Sequence, residues 1–426
     1  MTLASDIGSP SLQIAGVVLL ETQVPLTLSR VRDALDVRVA QLARFRQRLV
    51  SVAPGLGRPI WMDDPTFDIR RHVRQARCPD PGDEEALLGM ASRVATEPLP
   101  DDRPLWSATV VDGLTGGRTA LIVTFHHVLT DGVGGLAVLA HLMDHPPGTG
   151  EEPDTGFPHT PPTPVQLMTD AVGSRLRALL AAPKAVREIR TALAQLRLVA
   201  TTRRSPASLS RAIGTRRQFA VASCKLVDIR ATAHSRDATV NDALLCAATG
   251  ALHALLLHRG EDADSLTISI PVSARRTDST AHLGNQVGSV PVALPTKGPS
   301  RLEAIARITR RHKAVARGVS SVLLAPLFRL LAALNLLGWI IRRQRLVVSS
   351  VTYLHGPPAP LYFLGAQVAD IVPITAIKGN MTVSFVALSY RDTLLVTVIA
   401  DSDRCPDLPV LVAALQRELD ALAHGG

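Results

Sequence analysis

Two hydrophobic periods alternate along this chain. The run LQIAGVVLLE (Leu12 to Glu21) is short, apolar and rich in aliphatic residues, which predicts a strand. From Thr27 to Phe45 the apolar Val31, Leu35, Val39 and Leu42 recur at spacings of three or four, which predicts a helix. Helices are also predicted over Glu84 to Thr96 and over Gly132 to Met143, the second carrying Val133, Leu136, Leu139 and Leu142. Ser107 to Val111 and Ala120 to Phe125 read as strands, the latter apolar enough to be buried on both faces.

The pattern then breaks. HPPGTGEEPDTGFPHTPPTP, from His145 to Pro164, holds too much Pro and Gly for a packed element and reads as a surface linker, where the main boundary is placed. Val165 to Ala200 reads as helical, with Arg175, Arg177, Lys184, Arg187, Arg190 and Arg197 against only Asp170 and Glu188. That basic face suits either bulk solvent or an anionic lipid surface. The last 210 residues return to alternation. TVNDALLCAATGALHALLLH predicts a helix with Thr239 or Asn241 as cap, and LTISIPVS, SVPVALP, MTVSFVALSY and TLLVTVIAD predict strands. The two halves share element order without an alignable repeat. The expectation is an α/β chain of two facing domains, 1–145 and 211–426, joined by a connector over 146–210. Val322 to Ile341 is 20 residues long and apolar, but it contains Pro326, Arg329 and Asn335. An Arg near a span's centre costs about 2.5–3.5 kcal/mol. A buried helix, a membrane-docking face and a span all remain open there.

Composition narrows the class. In 426 residues, 46% hydrophobic and 19% charged composition supports large cores and excludes a disordered chain. Aromatics at 3% argue against a stacking platform for single-stranded nucleic acid. The net charge of +9 fits a nucleic acid, an anionic membrane or an anionic substrate, and does not choose among them. Cys78, Cys224, Cys246 and Cys405 form no CxxC pair, so a reducing cytoplasm is the default expectation. The start MTLASDIGSPSLQ has neither a basic head nor an apolar run, which predicts no signal peptide.

The candidate chemistry lies in TFHHVLTDGVGG, Thr124 to Gly135. Neighbouring side chains on a strand point to opposite faces, so His126 and His127 cannot both face one site. One should support the core and the other should face open space, where its pKa suits a general base. Both could equally be satisfied core histidines. Asp131 falls at the next helix start, and Gly132, Gly134 and Gly135 allow close backbone approach. No HExxH or i,i+4 partner supports a metal, and no G-x-S-x-G elbow supplies a nucleophile.

HHVLTDG resembles the HHxxxDG motif of the CoA-dependent acyltransferase superfamily. DRPLWSATVVDGL carries the Pro104-Leu105-Trp106 that precedes this motif in bacterial wax ester synthase/diacylglycerol acyltransferases. ATVNDALLCAATGAL carries their Asn241-Asp242, IPVSARR their Pro271-Val272-Ser273 and Arg275, and GNQVGSVPVALP their Gly284-Asn285. PIWMDDPTFDIRRHV and PLYFLGAQV look like further blocks, and the matches run in family order from about residue 40 to 410. The resemblance implies two chloramphenicol-acetyltransferase-like domains with an active-site channel between them. It implies an O-acyltransferase in which His127 takes a proton from an alcohol that then attacks acyl-CoA, with no acyl-enzyme. The acceptor would be diacylglycerol, giving triacylglycerol, or a fatty alcohol, giving wax ester.

By the same resemblance His127, His126 and Asp131 form the catalytic motif, with Asp131 in a structural role, pairing with an arginine such as Arg275, which could equally be a surface cation. Gly132, Pro104, Leu105 and Trp106 pack around or under it, while Asn241, Asp242, Asn285 and Ser273 are the substrate-binding candidates; Asn241, Asp242 and Asn285 could equally be helix-cap or turn residues. No metal or cofactor is implied beyond acyl-CoA as co-substrate. The positive charge then serves CoA phosphates and a membrane or lipid-droplet surface, and not nucleic acid, for a cytoplasmic, peripherally membrane-associated enzyme.

The chain also departs from the family. Its S-N-V-P-G-P block stands here as TYLHGP, with Tyr353 for Asn and His355 for Pro. Ser210 replaces a usual Asn, and the stretch before Leu12 looks trimmed. These changes bear on the acceptor pocket. They keep open a relative that esterifies another acceptor or uses a carrier-bound thioester, and a non-catalytic lipid-surface protein.

Overall fold

A computed structural model describes residues 12–22, 26–53, 59–144, 157–183, 186–187, 206–273, 287–316, 331 and 336–425. In chain order the first half gives β1 (Gln13–Glu21), α1 (Leu28–Val39), β2 (Gln47–Val50), β3 (Ile60–Asp63), β4 (Val73–Arg77), α2 (Glu84–Thr96), β5 (Trp106–Asp112), β6 (Thr119–His126), α3 (Gly132–His141) and α4 (Pro164–Leu180). The second gives β7 (Arg217–Lys225), α5 (Leu226–Ser235), α6 (Val240–His258), β8 (Ser265–Ser273), β9 (Val287–Pro295), α7 (Arg301–Ala316), α8 (Leu337–Arg343), β10 (Ser349–His355), β11 (Tyr362–Phe363), β12 (Ala366–Ile374), β13 (Val383–Tyr390), β14 (Thr393–Asp401) and α9 (Leu408–Ala423).

The strands form two six-stranded sheets, β11-β12-β1-β6-β5-β4 and β7-β14-β13-β10-β8-β9, plus the β2-β3 hairpin. The fold is α/β, as expected. Two strands cross between the halves: β12 leaves the C-terminal half to pair antiparallel with β1 through seven registered positions, Ala15 with Ile374 to Glu21 with Gln367. The first sheet is therefore completed by chain from the second half.

Burial follows the strand period. Along β13, Val383, Phe385 and Ala387 enter one core with α6 and α9, while Val386 and Leu388 enter the other, facing the first sheet. β6 is buried throughout, as its apolar run predicts. α6 is long and apolar enough by composition to cross a membrane, but Leu244, Leu245, Leu252, Leu255 and Leu256 are buried in the second core. Thr239, not Asn241, caps it: its Oγ1 accepts from the Asp242 N–H at 3.2 Å.

The helix expected over Thr27 to Phe45 stops at Val39. Leu42 takes φ −112° and ψ 82°, and a separate 3-10 turn at Ala43–Arg46 sends Phe45 inward. There its ring meets Trp106 at 5.7 Å and Phe125 at 5.5 Å. A straight helix would point that ring elsewhere, so core packing overrides local periodicity. α3 likewise closes at His141, before Met143. The long basic helix is described over Pro164–Leu180, opened by a Thr163–Gln166 capping box. Residues 188–205 and most of Val322 to Ile341 lie outside the described residues, as do 145–156 of the linker.

Candidate active site

β6 ends at the two histidines, and backbone hydrogen bonds hold that end from both sides. The His126 N–H donates to the Leu105 carbonyl at 3.0 Å and the His127 N–H to the Leu12 carbonyl at 2.7 Å. The side chains then diverge. His126 is buried, and its Nδ1 accepts from the Val128 N–H at 3.1 Å, so that nitrogen carries no proton. His127 is partly buried, and its Nδ1 lies 2.9 Å from the Thr130 carbonyl. A carbonyl only accepts, so Nδ1 carries the proton and the basic lone pair sits on Nε2. Burial, followed by the positive charge of Lys378, pushes the His127 pKa down to about 4, against the opposing hydrogen bond to Thr130 and the charge of Asp131. The imidazole is therefore neutral at pH 7.

His127 lines a cavity of about 350 Å³ between the two sheets. Its volume falls in the range of sites for small organic ligands. Its lining mixes apolar residues, among them Ile14, Gly16, Leu136, Leu139, Ile371 and Leu388, with Ser269, Ser289, Ser350, Thr352, Thr375 and Lys378. None of the four cysteines lines it. Among the described residues, no group of three His, Cys, Asp or Glu side chains is placed to hold a metal ion.

Asp131 and Gly132 join His127 in the lining. Asp131 is 0% exposed and caps α3, its Oδ1 accepting the Gly134 N–H at 2.9 Å. At Gly132 the helix α3 lies against Leu354 of β10. A β-carbon there would stand 3.2 Å from Leu354 Cδ2. Pro104, Leu105 and Trp106 are buried and do not line the cavity. Trp106 stacks on His72 at 4.6 Å and donates from Nε1 to the Phe45 carbonyl at 2.8 Å, forming a platform below the strand end.

The expected substrate contacts distribute differently. Asp242 takes the cap role that its position allowed: 2% exposed, it accepts from the Thr239 N–H at 2.9 Å and from Thr309 Oγ1 at 2.7 Å. It locks the start of α6 and does not line the cavity, nor does Asn241. The spacing that suggested a binding pair is that of a capping box. Arg275, Asn285 and the side chain of Ser273 lie outside the described residues. Tyr353 reaches the lining, yet its ring packs on the second core and tilts over His355 at 4.2 Å between centroids. The Asn-to-Tyr change thus bulks the far face of β10 more than the cavity. Ser210 bridges to Met381, a lining residue, and its buried hydroxyl has no hydrogen-bond partner among the described residues. Sequence reasoning missed Lys378. Its signal is a lone cation before Gly379 in the otherwise uncharged VPITAIKGNMTVSF.

His72 makes the fold acid-sensitive. Burial lowers its pKa to about 4, against an ordinary value near 6.5. Between those values the unfolded chain binds the proton that the folded chain refuses. Stability is therefore complete above pH about 6.5 and lost as pH falls towards about 4, by about 3 kcal/mol from this ring at most. Thermal midpoints measured across that window should fall for wild type. They should fall less for His72→Phe, which keeps the stack and cannot take up a proton; an equal slope would remove His72 as the cause.

Known proteins resemble this chain in sequence and in fold. Residues 13–244 match the model of the wax ester synthase/diacylglycerol acyltransferase catalytic domain, and 283–423 match that of the WS/DGAT C-terminal domain. The chain is 30% identical over 431 aligned positions to a probable diacylglycerol O-acyltransferase of Mycobacterium tuberculosis strain H37Rv, covering 97% of this chain and 91% of the relative. Its structure is similar to that of the wax ester synthase/diacylglycerol acyltransferase of Marinobacter aquaeolei VT8, with TM-score 0.70, 22% identity and 96% and 94% of the two chains covered. It is also similar in fold to the starter condensation domain of rhizomide synthetase in complex with C8-CoA, with TM-score 0.63, 16% identity and 99% and 91% coverage.

Proposed function

The chain belongs to the wax ester synthase/diacylglycerol acyltransferase family of acyltransferases, and from that premise we propose that it moves a long-chain acyl group from acyl-CoA to a lipid hydroxyl with His127 as general base. What carries this reading is the tautomer at the cavity wall. Nδ1 is tied to the Thr130 carbonyl, which leaves Nε2 as the basic nitrogen of a ring that lines the space between the sheets. The acceptor O–H gives its proton to Nε2 as its oxygen bonds to the thioester carbonyl carbon. The tetrahedral intermediate collapses with cleavage of the C–S bond, and the leaving thiolate recovers the proton from Nε2. Ester and free CoA result, with no acyl-enzyme and no further cofactor. The apolar residues of the lining suit an acyl chain, and its serines and threonines suit the reacting polar groups.

Supply of both lipids suits a peripheral enzyme on a membrane or lipid-droplet surface. α4 exposes Val165, Met168, Val172, Leu176 and Leu179 at spacings of three and four, beside the exposed Arg175 and Arg177. An apolar stripe flanked by arginines matches an anionic lipid surface in both polarity and charge.

The test is CoA release by the purified protein from a long-chain acyl-CoA in the presence of diacylglycerol or a fatty alcohol, with the ester identified by mass spectrometry. Triacylglycerol or wax ester is expected. Release only with a non-lipid acceptor or a carrier-bound thioester would move the enzyme to another branch of the superfamily. No release across the panel would leave a lipid-surface protein without turnover.

A further inference from the structure

We infer that Lys378 supplies the positive charge that stabilises the oxyanion formed when the acceptor oxygen adds to the thioester carbonyl, a role that rests on the acyl-transfer reading. Lys378 belongs to none of the motifs singled out in the sequence. It arrives at the cavity because β12 crosses to the first sheet and the chain must then turn back into β13 of the second. The turn lies at the seam between the sheets, and Lys378 shares the lining with His127.

The turn is rigidly built. The Met381 N–H donates to the Lys378 carbonyl at 3.2 Å. Gly379 has φ +66°, and a β-carbon there would lie 2.5 Å from the Ile341 carbonyl oxygen, so only glycine fits. Asn380 is buried and exchanges hydrogen bonds with Gln344: Gln344 Nε2 donates to Asn380 Oδ1 at 2.7 Å, and Asn380 Nδ2 donates back to the Gln344 carbonyl. Gln344 Oε1 meanwhile accepts from the Leu346 and Val347 N–H groups at 2.9 and 2.8 Å. Such a clamp holds the backbone of Lys378 before substrate arrives, which is what preorganised electrostatic stabilisation requires.

Charge balance within the cavity points the same way. Apart from the phenol of Tyr353, the ionisable residues in its described lining are His127, Asp131 and Lys378. Asp131 caps α3 and His127 is neutral before reaction, which leaves Lys378 as the cation there. On addition, the carbonyl π pair moves to oxygen while the acceptor proton moves to Nε2. On collapse that pair returns and the C–S bond breaks. Negative charge is therefore greatest on the carbonyl oxygen of the tetrahedral intermediate, which a cation lining the same cavity stabilises. The same cation disfavours the imidazolium. The two effects oppose each other, and the sign of the change in kcat shows which dominates.

The experiment compares wild type, Lys378→Met and Lys378→Arg in the CoA-release assay, with thermal midpoints for each. Lys378→Met should lower kcat by about 10²-fold, with KM for acyl-CoA changed by less than about twofold. Lys378→Arg should restore a substantial part of kcat, which a purely structural loss would not allow. The acid limb of kcat/KM should move to higher pH in Lys378→Met, since the Lys378 charge holds the His127 pKa down beside burial and His126, against Asp131 and the Thr130 carbonyl. An unchanged or increased kcat in Lys378→Met would overturn the inference. So would a raised KM for acyl-CoA at intact kcat, which would place Lys378 on the phosphates of CoA instead. An active wild type with an unaffected Lys378→Met defeats this inference alone; a wild type inactive on every acceptor defeats the acyl-transfer reading and this one with it.

Discussion

His127→Ala should lower kcat for CoA release by about 10²–10⁴ while leaving the thermal midpoint near that of wild type. The rate loss follows from removing the acceptor of the alcohol proton, without which the attacking oxygen must enter the thioester carbonyl still protonated. The small stability effect follows from where the ring sits, on a cavity wall with its Nδ1 bonded to a local carbonyl, and not inside either core. His126→Ala offers the control. That ring is buried and accepts the Val128 N–H, so its loss should appear first as a lower midpoint and only then as lower activity. CoA release that survives in His127→Ala, or an equal loss of rate from both variants at matched stability, would remove His127 from the role of base.

The largest effect on stability is expected at Trp106. The indole is 1% exposed, lies against Phe45 and His72, and satisfies the Phe45 carbonyl through Nε1. Truncation to Ala removes that buried area, leaves a cavity and strands a carbonyl, for a total of about 3–5 kcal/mol. Folded domains are stable by only about 5–15 kcal/mol, so the thermal midpoint should drop by roughly 10 °C or more. Trp106→Phe keeps most of the packing and loses the hydrogen bond, so it should cost about 1–2 kcal/mol. Denaturant midpoints would check both. A Trp106→Ala protein as stable as wild type, but with a raised KM, would mean that the indole touches substrate instead of supporting the strand end.

Trp106 and Asp242 show why the motif residues fared differently. Pro104, Leu105 and Trp106 read as support and are buried beneath the site. Asn241 and Asp242 read as substrate contacts, but Asp242 stands three places after Thr239 and closes a capping box. A carboxylate at that spacing has a local use that motif matching alone does not reveal. The divergence of the two histidines was legible because strand geometry sends neighbours to opposite faces, and the hydrogen bonds to Val128 and Thr130 report that divergence. Tyr353 illustrates the converse. The substitution was visible in the sequence, whereas the face of β10 its ring would occupy was not.

By itself the sequence determined many of the elements and the candidate chemistry, though not the end of α1 at Val39. Periods of two and 3.6 residues set the strands and helices, short-range capping set the helix starts, and the order of His126, His127 and Asp131 placed one imidazole at an open strand end. Tertiary structure alone decided what meets that imidazole. β12 pairs with β1 across more than 340 residues of chain, and this crossing brings the Lys378 turn to the cavity shared with His127. Pairing over that distance depends on matched hydrogen-bond ladders and on two apolar faces closing together. No local window of residues encodes such a match.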